Sequence, residues 1–581
     1  MIAVIADAHF HDLYGDYGLA GKERAAPPIA MRRLAETARS TRVFNESHAA
    51  LCYTLEDIGK RGIEHVVLLG DYSDDGQIET LNTLRDLLDR HSKRFGFQYY
   101  ATVGNHDIFG PDGRHRTKRF RNANGGYDVV TSDPDFTDAN AGRVIVSPTM
   151  YCAGYPEGLH ALQDVALFGA RPDQHWETPF GAGSQNKARL YPALSGDGAE
   201  CAWLMDASYL VEPFPGLWLM MIDANVFEPQ IVNDGDGDRI VFADSTAAGW
   251  NAMLRQKPFI LAWMKDVAVR ASTQGKHLLA FSHYPVLDPL DGTHEDEIAL
   301  LGRTELTRRI PNVEVAEAIA ATGVKVHFSG HLHVNDTARY AAAAGVVVNI
   351  SMPSLVAYPA AYKIIDVAGT KLTVETIGID DMPLDPGVMD IYRAEVQSGL
   401  KAHRLTQCAD YGAFLYEHIG HLVARRHLRR EWPQDLAALI HSLTLADVAA
   451  LALRPAGIAA HDMIASIDTF RRPDLVAETG RFEMQSNLCC GMLAGIAALT
   501  FLEDWYRVKM GSDIAVAAIP SDRMKAYVAI AGLFATGGTG ALDGAYHDLS
   551  ILFRMFDKMI GGLPARNFSV DLVTGDIHEN M

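Results

Sequence analysis

The first nine residues, Met1-Ile-Ala-Val-Ile-Ala-Asp-Ala-His9, join a short apolar run to two polar side chains. A short, β-rich apolar run of this kind is typical of a buried strand. Residues i and i+2 of an extended segment lie on the same side, so Asp7 and His9 are expected to point the same way. We therefore predict a strand whose carboxyl end presents a carboxylate and an imidazole to one cation.

Four more motifs of this type follow in the chain, most of them directly after a strand-like run. They are Gly70-Asp71-Tyr72-Ser73-Asp74, Gly104-Asn105-His106-Asp107, Phe281-Ser282-His283-Tyr284-Pro285 and Gly330-His331-Leu332-His333. Together the motifs offer carboxylate, imidazole and amide ligands, a mixture that suits two closely spaced divalent transition metals. The glycine before Asp71 permits close backbone approach, which leaves that carboxylate free to bridge two ions.

Apolar runs and helical patterns alternate through the first two thirds of the chain. The runs lie at residues 66–70, 98–103, 217–222, 277–281, 324–328 and 346–350, and helical periodicity is clearest at 47–61, 78–90 and 258–272. This alternation predicts an α/β fold with a sheet covered on both sides. Residues 362–367 and 371–376 are expected to form a closing hairpin. In such sheets ligands gather at the carboxyl ends of strands, where every motif lies.

The length of 581 residues exceeds one ordinary hydrophobic core, so two domains are expected. We predict a catalytic domain at residues 1–385, with insertions at about 12–41 and 110–206, and a mostly α-helical C-terminal domain at 386–581. The second insertion leaves the core directly after the Asn-His-Asp motif and is expected to set substrate choice. The C-terminal domain is expected to form a wall beside the cleft or an interface for a homo-oligomer.

The bulk composition is that of an ordinary folded protein, with 48% hydrophobic and 21% charged residues and a net charge of −20. This charge disfavours a nucleic-acid partner. The one dense basic run, residues 114–121, is either a solvated loop or a patch for a phosphate-bearing ligand. Six scattered cysteines fit a reducing compartment, and the N-terminus does not resemble a signal peptide, so a cytoplasmic location is expected. The most apolar long run, 488–502, is shorter than a membrane span and is expected to form a buried helix.

The five motifs, in this order, resemble the calcineurin-like metallophosphoesterase superfamily over residues 1 to about 380. The resemblance implies a four-layer α/β/β/α sandwich and two divalent metal ions, Mn, Fe or Zn. It also implies that one ion is bound by Asp7, His9, Asp71 and His333, and the other by Asp71, Asn105, His283 and His331. By the same resemblance, His106 faces the phosphate as an acid and is oriented by Asp107.

Four residues near the motifs are weaker candidates. Asp74 is expected to fix its loop behind the ligands rather than to bind metal. His11 could lie behind the ligands or at the rim of the site, or it could be an ordinary loop residue. Arg42 and Asn45 could reach a phosphate oxygen, and the alternative for this pair is helix capping.

The expected chemistry is the hydrolysis of phosphate esters, with small-molecule phosphodiesters favoured. Two divalent ions about 3.5–4 Å apart lower the pKa of a bridging water, and the resulting hydroxide attacks in line while His106 protonates the leaving group. A phosphomonoesterase, a nuclease and a metal-free binding scaffold remain the alternatives, in that order. The phosphoprotein phosphatase branch of the superfamily usually carries Glu where this chain has Asp107, which disfavours that activity.

Overall fold

The computed structural model describes residues 1–19, 30–233, 238–453, 457–470, 490–536 and 543–580. Its centre consists of two seven-stranded sheets. The N-terminal strand Ile2–Ile5 lies inside the first sheet, where it pairs in parallel with His65–Leu69 and antiparallel with Ala361–Ala368. In spatial order this sheet comprises Ile577–Glu579, Asn567–Asp571, Lys371–Gly378, Ala361–Ala368, Ile2–Ile5, His65–Leu69 and Gln98–Thr102.

The second sheet has a parallel centre, in which His277–Ser282 lies between Leu217–Ile222 and Val326–Ser329. In spatial order its strands are Asp336–Ala342, Gly345–Ser351, Val326–Ser329, His277–Ser282, Leu217–Ile222, Tyr209–Phe214 and Trp176–Glu177. Both sheets therefore collect the strands that the apolar runs predict, including the hairpin of Ala361–Ala368 with Lys371–Gly378.

The strand Leu217–Ile222 shows how the sheets stack. Leu219 and Met221 belong to the main hydrophobic core, whereas Trp218 and Met220 belong to a second core formed with the outer helices. The two sheets are also linked by Tyr209, whose hydroxyl donates to the carbonyl of Ala101 at 3.1 Å and accepts from its amide at 2.9 Å. A strand buried on both faces in this way explains the continuous apolar pattern of its sequence.

Helices cover the outer faces and complete the α/β/β/α order, which confirms the predicted fold class. The three helices expected from periodicity span Ser47–Lys60, Ile78–Phe95 and Pro258–Thr273. The remaining helices of this part are Leu34–Thr37, Gly249–Gln256, His294–Leu301 and Val313–Thr322. The helix Ile78–Phe95 buries Leu81, Leu84 and Leu88 at helical spacing, as an amphipathic helix on a sheet does.

The long insertion at residues 110–206 is structured. It contains a small sheet of Thr117–Arg121, Tyr127–Thr131 and Val144–Val146, a hairpin of Leu190–Leu194 with Cys201–Met205, and an edge strand of the second sheet. A further ribbon pairs Pro229–Asn233 with Asp238–Phe242. The first insertion, at 12–41, lies only partly among the described residues, because 20–29 fall outside them.

Among the described residues, the region between 386 and 560 is mostly helical, as predicted. Its helices are Pro386–Gln397, Tyr411–Leu422, Leu428–Arg430, Gln434–Ser442, Leu445–Leu453, Ala460–Phe470, Cys490–Ala494, Ala498–Gly511, Asp513–Ala518, Ser521–Thr536 and Ala545–Ile560, with a π-helical turn at Val423–His427. The apolar run 488–502 begins outside the described residues and continues in two of these helices. The chain then returns to the first sheet with two strands, which pair beside Lys371–Gly378.

No helix among the described residues is long and apolar enough to cross a lipid bilayer. The division of the chain at residue 385 and the expected homo-oligomer stay predictions. The C-terminal strand Asn567–Asp571 ties the helical region to the catalytic sheet, because five of its residues pair with Lys371–Glu375.

Candidate metal centre

The motif residues occupy the loops that leave the strands, and their backbone is unusual. Several candidate ligands have positive φ angles although none of them is glycine: Asp7 (49°), His9 (39°), Asp71 (48°), His331 (70°) and His333 (58°). The left-handed region costs free energy for such residues, so it persists only where surrounding contacts hold it. A cluster of such residues in one place is typical of a functional site.

The glycines that precede the motifs make room for the ligands. A Cβ atom on Gly104 would lie 2.1 Å from Oδ1 of Asp71, and one on Gly330 would lie 2.5 Å from Oδ2 of Asp7. A Cβ atom on Gly70 would lie 2.5 Å from Nδ1 of His283. Any side chain at these three positions would displace a candidate ligand, which explains why the motifs contain glycine there.

The loops bring the predicted ligands together in two adjoining groups. One group contains Asp7, His9 and His333, and the other contains Asp71, His283 and His331; within each group the ligand atoms all lie within 4.8 Å of one another. Oδ2 of Asp71 is 3.2 Å from Nε2 of His283 and 3.8 Å from Nε2 of His9. Asp71 therefore lies between the two groups, where a carboxylate could bridge two ions.

Hydrogen bonds behind the ligands leave the metal-binding atoms free. The Nδ1 atom of His283 contacts the carbonyl of Leu69 at 3.1 Å, which leaves its Nε2 atom toward the cluster. Thr246 accepts a hydrogen bond from Nδ2 of Asn105 at 3.2 Å, and its carbonyl lies 3.0 Å from Nε2 of His331. Such outer contacts fix the orientation of metal ligands. Thr246 lies about 140 residues from the nearest motif before it, and its sequence context carries no signal for this role.

Several buried polar atoms of the cluster have no hydrogen-bond partner: Nδ1 of His9, Nε2 of His283 and Oδ1 of Asn105. Buried polar atoms are normally paired, so the unpaired carboxamide oxygen of Asn105 among the candidate ligands indicates a bound group. Imidazole nitrogens with carboxylate and amide oxygens are suitable ligands for Mn, Fe or Zn. The residues present therefore fit two divalent metal ions.

The electrostatics of the cluster also suit metal binding. Burial, with the nearby positive charges, holds the pKa of His9 and of His331 well below the usual value, so both imidazoles are neutral and can act as ligands. Burial opposes ionisation of Asp71, but the facing histidines outweigh it and its pKa is lowered. Burial likewise opposes protonation of His283, yet Asp71 and Asp7 raise the pKa of that imidazole to about 9. A cation at this point would therefore replace a proton on His283.

His106 lies beside the cluster, and its orientation differs from the prediction. Its Nδ1 atom is 2.6 Å from Oδ1 of Asp75 and 3.4 Å from the guanidinium of Arg42. Its backbone amide donates to Oδ1 of Asp71 at 2.7 Å. The expectation that Asp107 orients His106 is wrong, because Asp75 occupies that position. Asp75 follows directly after the second motif, and this position is the one sequence feature that could have indicated its contact with His106.

Asp107 has a structural role in the loops. Its Oδ1 atom accepts from the amide of Ser73 at 3.0 Å and from its hydroxyl at 2.9 Å, and its Oδ2 atom accepts from the amide of Gly104 at 3.0 Å. These bonds join the second motif to the third. Burial and the neighbouring Asp71 raise the pKa of Asp107 to about 8. Asp107 therefore acts on the geometry of both loops and has no contact with the His106 ring.

Asp74 lies behind the site in a network of cations. It accepts hydrogen bonds from Arg42 at 2.9 Å and from Lys118 at 2.6 Å. Burial opposes its ionisation, but Lys118 and the nearby arginines outweigh this effect and lower its pKa. Arg42 also lines the cavity of the site. The predicted position of Asp74 behind the ligands agrees with these contacts.

The basic run at 114–121 is mostly a strand rather than a loop, and its cations differ in role. Lys118 is buried against Asp74 and Asp75, and Arg116 pairs with Asp75. Arg119 instead pairs with Asp138 near the surface. Lys118 and Arg116 therefore neutralise the two aspartates behind His106, and a patch for a phosphate-bearing ligand on the rest of the run stays a prediction.

His11 and Asn45 are held away from the cluster. The Nε2 atom of His11 contacts the carbonyl of Ala30 at 2.7 Å, and burial lowers the pKa of its ring to about 3. The carboxamide of Asn45 accepts from the amide of Arg32 at 2.8 Å and donates to the hydroxyl of Tyr392 at 2.7 Å. Asn45 therefore links the first insertion to the C-terminal helices, and it neither caps the following helix nor reaches the site.

A cavity of about 230 Å³ opens onto the cluster. One side is lined by His9, Asp71, Asn105, His106, His331 and His333 together with Arg42. The other side is lined by the 304–309 segment and by C-terminal helices that contribute His418, Leu422, Arg426, His427, Tyr506 and Lys509. The helical region thus forms a wall of the same cavity that contains the candidate ligands.

The two-sheet sandwich carries adjoining Asp/His groups at its strand ends, and this donor set could hold two metal ions. The model of the calcineurin-like phosphoesterase family matches residues 1–169, and this match confirms the resemblance predicted from the motifs. Three of the five motifs lie inside the matched span. A comparison with curated proteins found no match.

The solved structures that match this chain include two phosphatases and a phosphopantetheinyl hydrolase. A dimetal phosphatase from Danio rerio is 14% identical, with a TM-score of 0.33, and the match covers 65% of this chain and 95% of that chain. A purple acid phosphatase from yellow lupin (Lupinus luteus) seeds is 11% identical, with a TM-score of 0.26, and the match covers 65% of this chain and 51% of that chain. A phosphopantetheinyl hydrolase from Mycobacterium tuberculosis is 12% identical, with a TM-score of 0.21, and the match covers 61% of this chain and 89% of that chain.

Proposed function

We propose that this protein hydrolyses phosphate esters of small organic molecules, with phosphodiesters as the preferred substrates and two divalent metal ions as cofactors. The observation that carries the proposal is the pair of adjoining Asp/His groups that share Asp71, with His106 beside them. Asp7, His9, Asp71 and His333 would hold one ion, and Asp71, Asn105, His283 and His331 the other. Mn, Fe and Zn all suit this donor set.

When bound, two such ions act as Lewis acids that neutralise phosphoryl oxygens and lower the pKa of water. His106 is the proposed acid. Its Nδ1 atom is bonded to Asp75, and among the described residues its Nε2 atom has no hydrogen-bond partner, so a proton on Nε2 can pass to the departing oxygen. The Asp75 carboxylate orients the imidazole, because its Oδ1 atom lies 2.6 Å from Nδ1 of His106.

Arg42 is the proposed contact for a phosphoryl oxygen. Its guanidinium lines the cavity and is held by Asp74 at 2.9 Å, so the group is oriented before substrate binds. A guanidinium that is oriented by a buried carboxylate loses little side-chain entropy when it binds an anion. This arrangement favours Arg42 as a positioning group for the phosphate.

The size and the lining of the cavity support a small substrate. A volume of about 230 Å³ suits an organic ester better than a folded protein or a duplex nucleic acid, and the net charge of −20 also opposes a polyanion. A diester carries two organic groups, and the cavity offers walls on two sides of the cluster. A monoesterase is the alternative, which the same residues could support with a smaller substrate.

The test compares two substrates that share one leaving group, bis(4-nitrophenyl) phosphate and 4-nitrophenyl phosphate. Protein stripped with a chelator should be inactive, and Mn²⁺, Fe²⁺ or Zn²⁺ should restore release of nitrophenol. We expect a higher kcat/KM for the diester. A higher kcat/KM for the monoester would select the alternative, and no turnover of either ester with any metal would refute the proposed function.

A further inference from the structure

The cavity wall formed by the 304–309 segment and the C-terminal helices carries both acids and cations. Glu297 is paired with Lys509 at 2.5 Å, and Glu431 lies 2.8 Å from Nδ1 of His427. These two acids and their partners all line the cavity, and so does a third acid, Glu305. Among the described residues, Arg309 of the same wall has no ion pair, and Arg426 has only a 3.8 Å contact with the exposed Glu305.

Arg426 lies in the π-helical turn Val423–His427, between two α-helical segments. Its Nε and Nη1 atoms are buried and have no hydrogen-bond partner. The nearest carboxylate is Glu305, which is 3.8 Å from Nη2 and whose side chain is 75% exposed. A buried guanidinium with unpaired donors costs free energy, so its retention beside a cavity indicates a ligand that completes the bonds. Single π-helical turns are frequent at functional sites.

Arg309 ends the short turn Thr307–Arg309, which packs against the turn Ser245–Ala247. The second turn carries Thr246, which contacts the candidate ligands Asn105 and His331. Among the described residues, the Arg309 side chain has neither an ion pair nor a hydrogen bond.

The lining between the two arginines and the ligands includes apolar side chains, among them Leu306, Tyr358 and Leu422. A ligand that spans this space therefore needs a charged group at the metal cluster, an organic middle part, and a second charge at the arginines. Two guanidiniums suit a carboxylate or a phosphate, which they bind with paired charge-assisted hydrogen bonds.

We infer that Arg309 and Arg426 bind a second anionic group on the organic part of the substrate, so that the enzyme selects phosphate esters with an additional carboxylate or phosphate. This inference rests on the proposed function, because it assigns the first anionic group to the metal cluster. It makes the C-terminal helical region part of the substrate site and gives a role to residues that no catalytic motif contains.

The test uses three phosphodiesters that share 4-nitrophenol as the leaving group. The other ester arm is butyl, 3-carboxypropyl or 3-phosphonopropyl, and each is assayed with the full-length, metal-loaded protein. We expect the wild type to favour one or both anionic arms over butyl in kcat/KM. The variants Arg309→Gln and Arg426→Gln should each reduce that preference by about 10- to 100-fold, the usual size of charged hydrogen bonds. The preferred arm distinguishes a carboxylate from a phosphate ligand.

The adjacent arginines give matched controls. Arg308 and Arg425 are exposed and do not line this cavity, so Arg308→Gln and Arg425→Gln should keep the wild-type preference. Equal losses for the butyl and the anionic arms in both cavity variants would overturn the inference, because the arginines would then act on the reacting phosphate. If no diester is turned over, titration calorimetry with the phosphonopropyl diester gives a separate answer. Binding weakened at least tenfold by Arg426→Gln supports the inference, and unchanged binding refutes it.

Discussion

The two walls of the cavity are built in different ways. The metal-side wall consists of loops at strand ends, where candidate ligands such as Asp7, Asp71 and His331 have left-handed backbone angles. The helical wall consists of side chains such as Tyr506 and Lys509, whose residues have ordinary α-helical backbone. The strained wall needs fixed positions for its atoms, whereas the helical wall can vary its chemistry by side-chain substitution alone. We therefore expect changes in the first wall to affect metal content and kcat, and changes in the second to affect KM.

The largest effect is expected for Asp71→Asn. The Asp71 carboxylate lies between both ligand groups, so its loss should remove most metal and essentially all turnover. Metal analysis of the purified variant, with its thermal unfolding curve as a control for folding, checks this. Two retained metal equivalents with near-normal activity would refute the bridging role.

His106→Ala should separate chemistry from metal binding. Because His106 contributes no ring atom to the two ligand groups, metal content should stay near wild type while kcat falls by about 10²–10⁴-fold. The loss should be smaller for esters of nitrophenol than for alkyl esters, since good leaving groups need little protonation. An equal loss for both leaving groups would argue against His106 as the acid.

Asp75→Asn should weaken the same step by a smaller amount. Asp75 positions the His106 ring, and loss of such an outer partner typically costs about 10- to 100-fold. The double variant Asp75→Asn/His106→Ala should be no slower than His106→Ala alone, because both changes act on one proton transfer. Multiplied losses in the double variant would mean that Asp75 acts elsewhere. Its contacts with Arg116 and Lys118 require a parallel measurement of unfolding.

The smallest effect is expected for Leu306→Ala in the helical side of the cavity. Leu306 is half-buried and lines the cavity, so its truncation should raise KM by about 3- to 10-fold through lost apolar contact, with kcat and metal content unchanged. Val313→Ala is the matched control, because Val313 is 59% exposed and does not line the cavity. A fall in kcat with unchanged KM in Leu306→Ala would break the distinction between the two walls.

The metal-side wall could be predicted from sequence because its information is local. Each motif contains its ligands and adjoins an apolar strand, and three of the five begin with the glycine that clears space for a neighbour. Local sequence could not show which of Asp75 and Asp107 orients His106. Asp107 belongs to the third motif and Asp75 adjoins the second. Asp107 is held away from the His106 ring because it accepts hydrogen bonds from Ser73 and Gly104.

Sequence could not show which residues of the helical wall line the cavity, because these residues reach it only through tertiary packing. Arg309 and Arg426 stand in sequence among other arginines, and nothing local separates Arg426 from the exposed Arg425. Helical periodicity predicted that the region is helical, but it carries no information on which face a distant loop covers. The pairing of the strand Asn567–Asp571 could not be predicted for the same reason, because its partner strand is almost 200 residues earlier in the chain.

The late position of the strands Asn567–Asp571 and Ile577–Glu579 in the chain has a consequence for synthesis on the ribosome. Residues 567–579 complete the edge of a sheet that also contains the strand Ile2–Ile5, so this sheet reaches its final width only after the whole helical region has been made. Until then the strand Lys371–Gly378 has an open edge, which is a template for wrong pairing between nascent chains. A stop codon near residue 386 would make this open edge permanent. Chaperone dependence of a truncated product would thus report on the missing edge strands rather than on the helices.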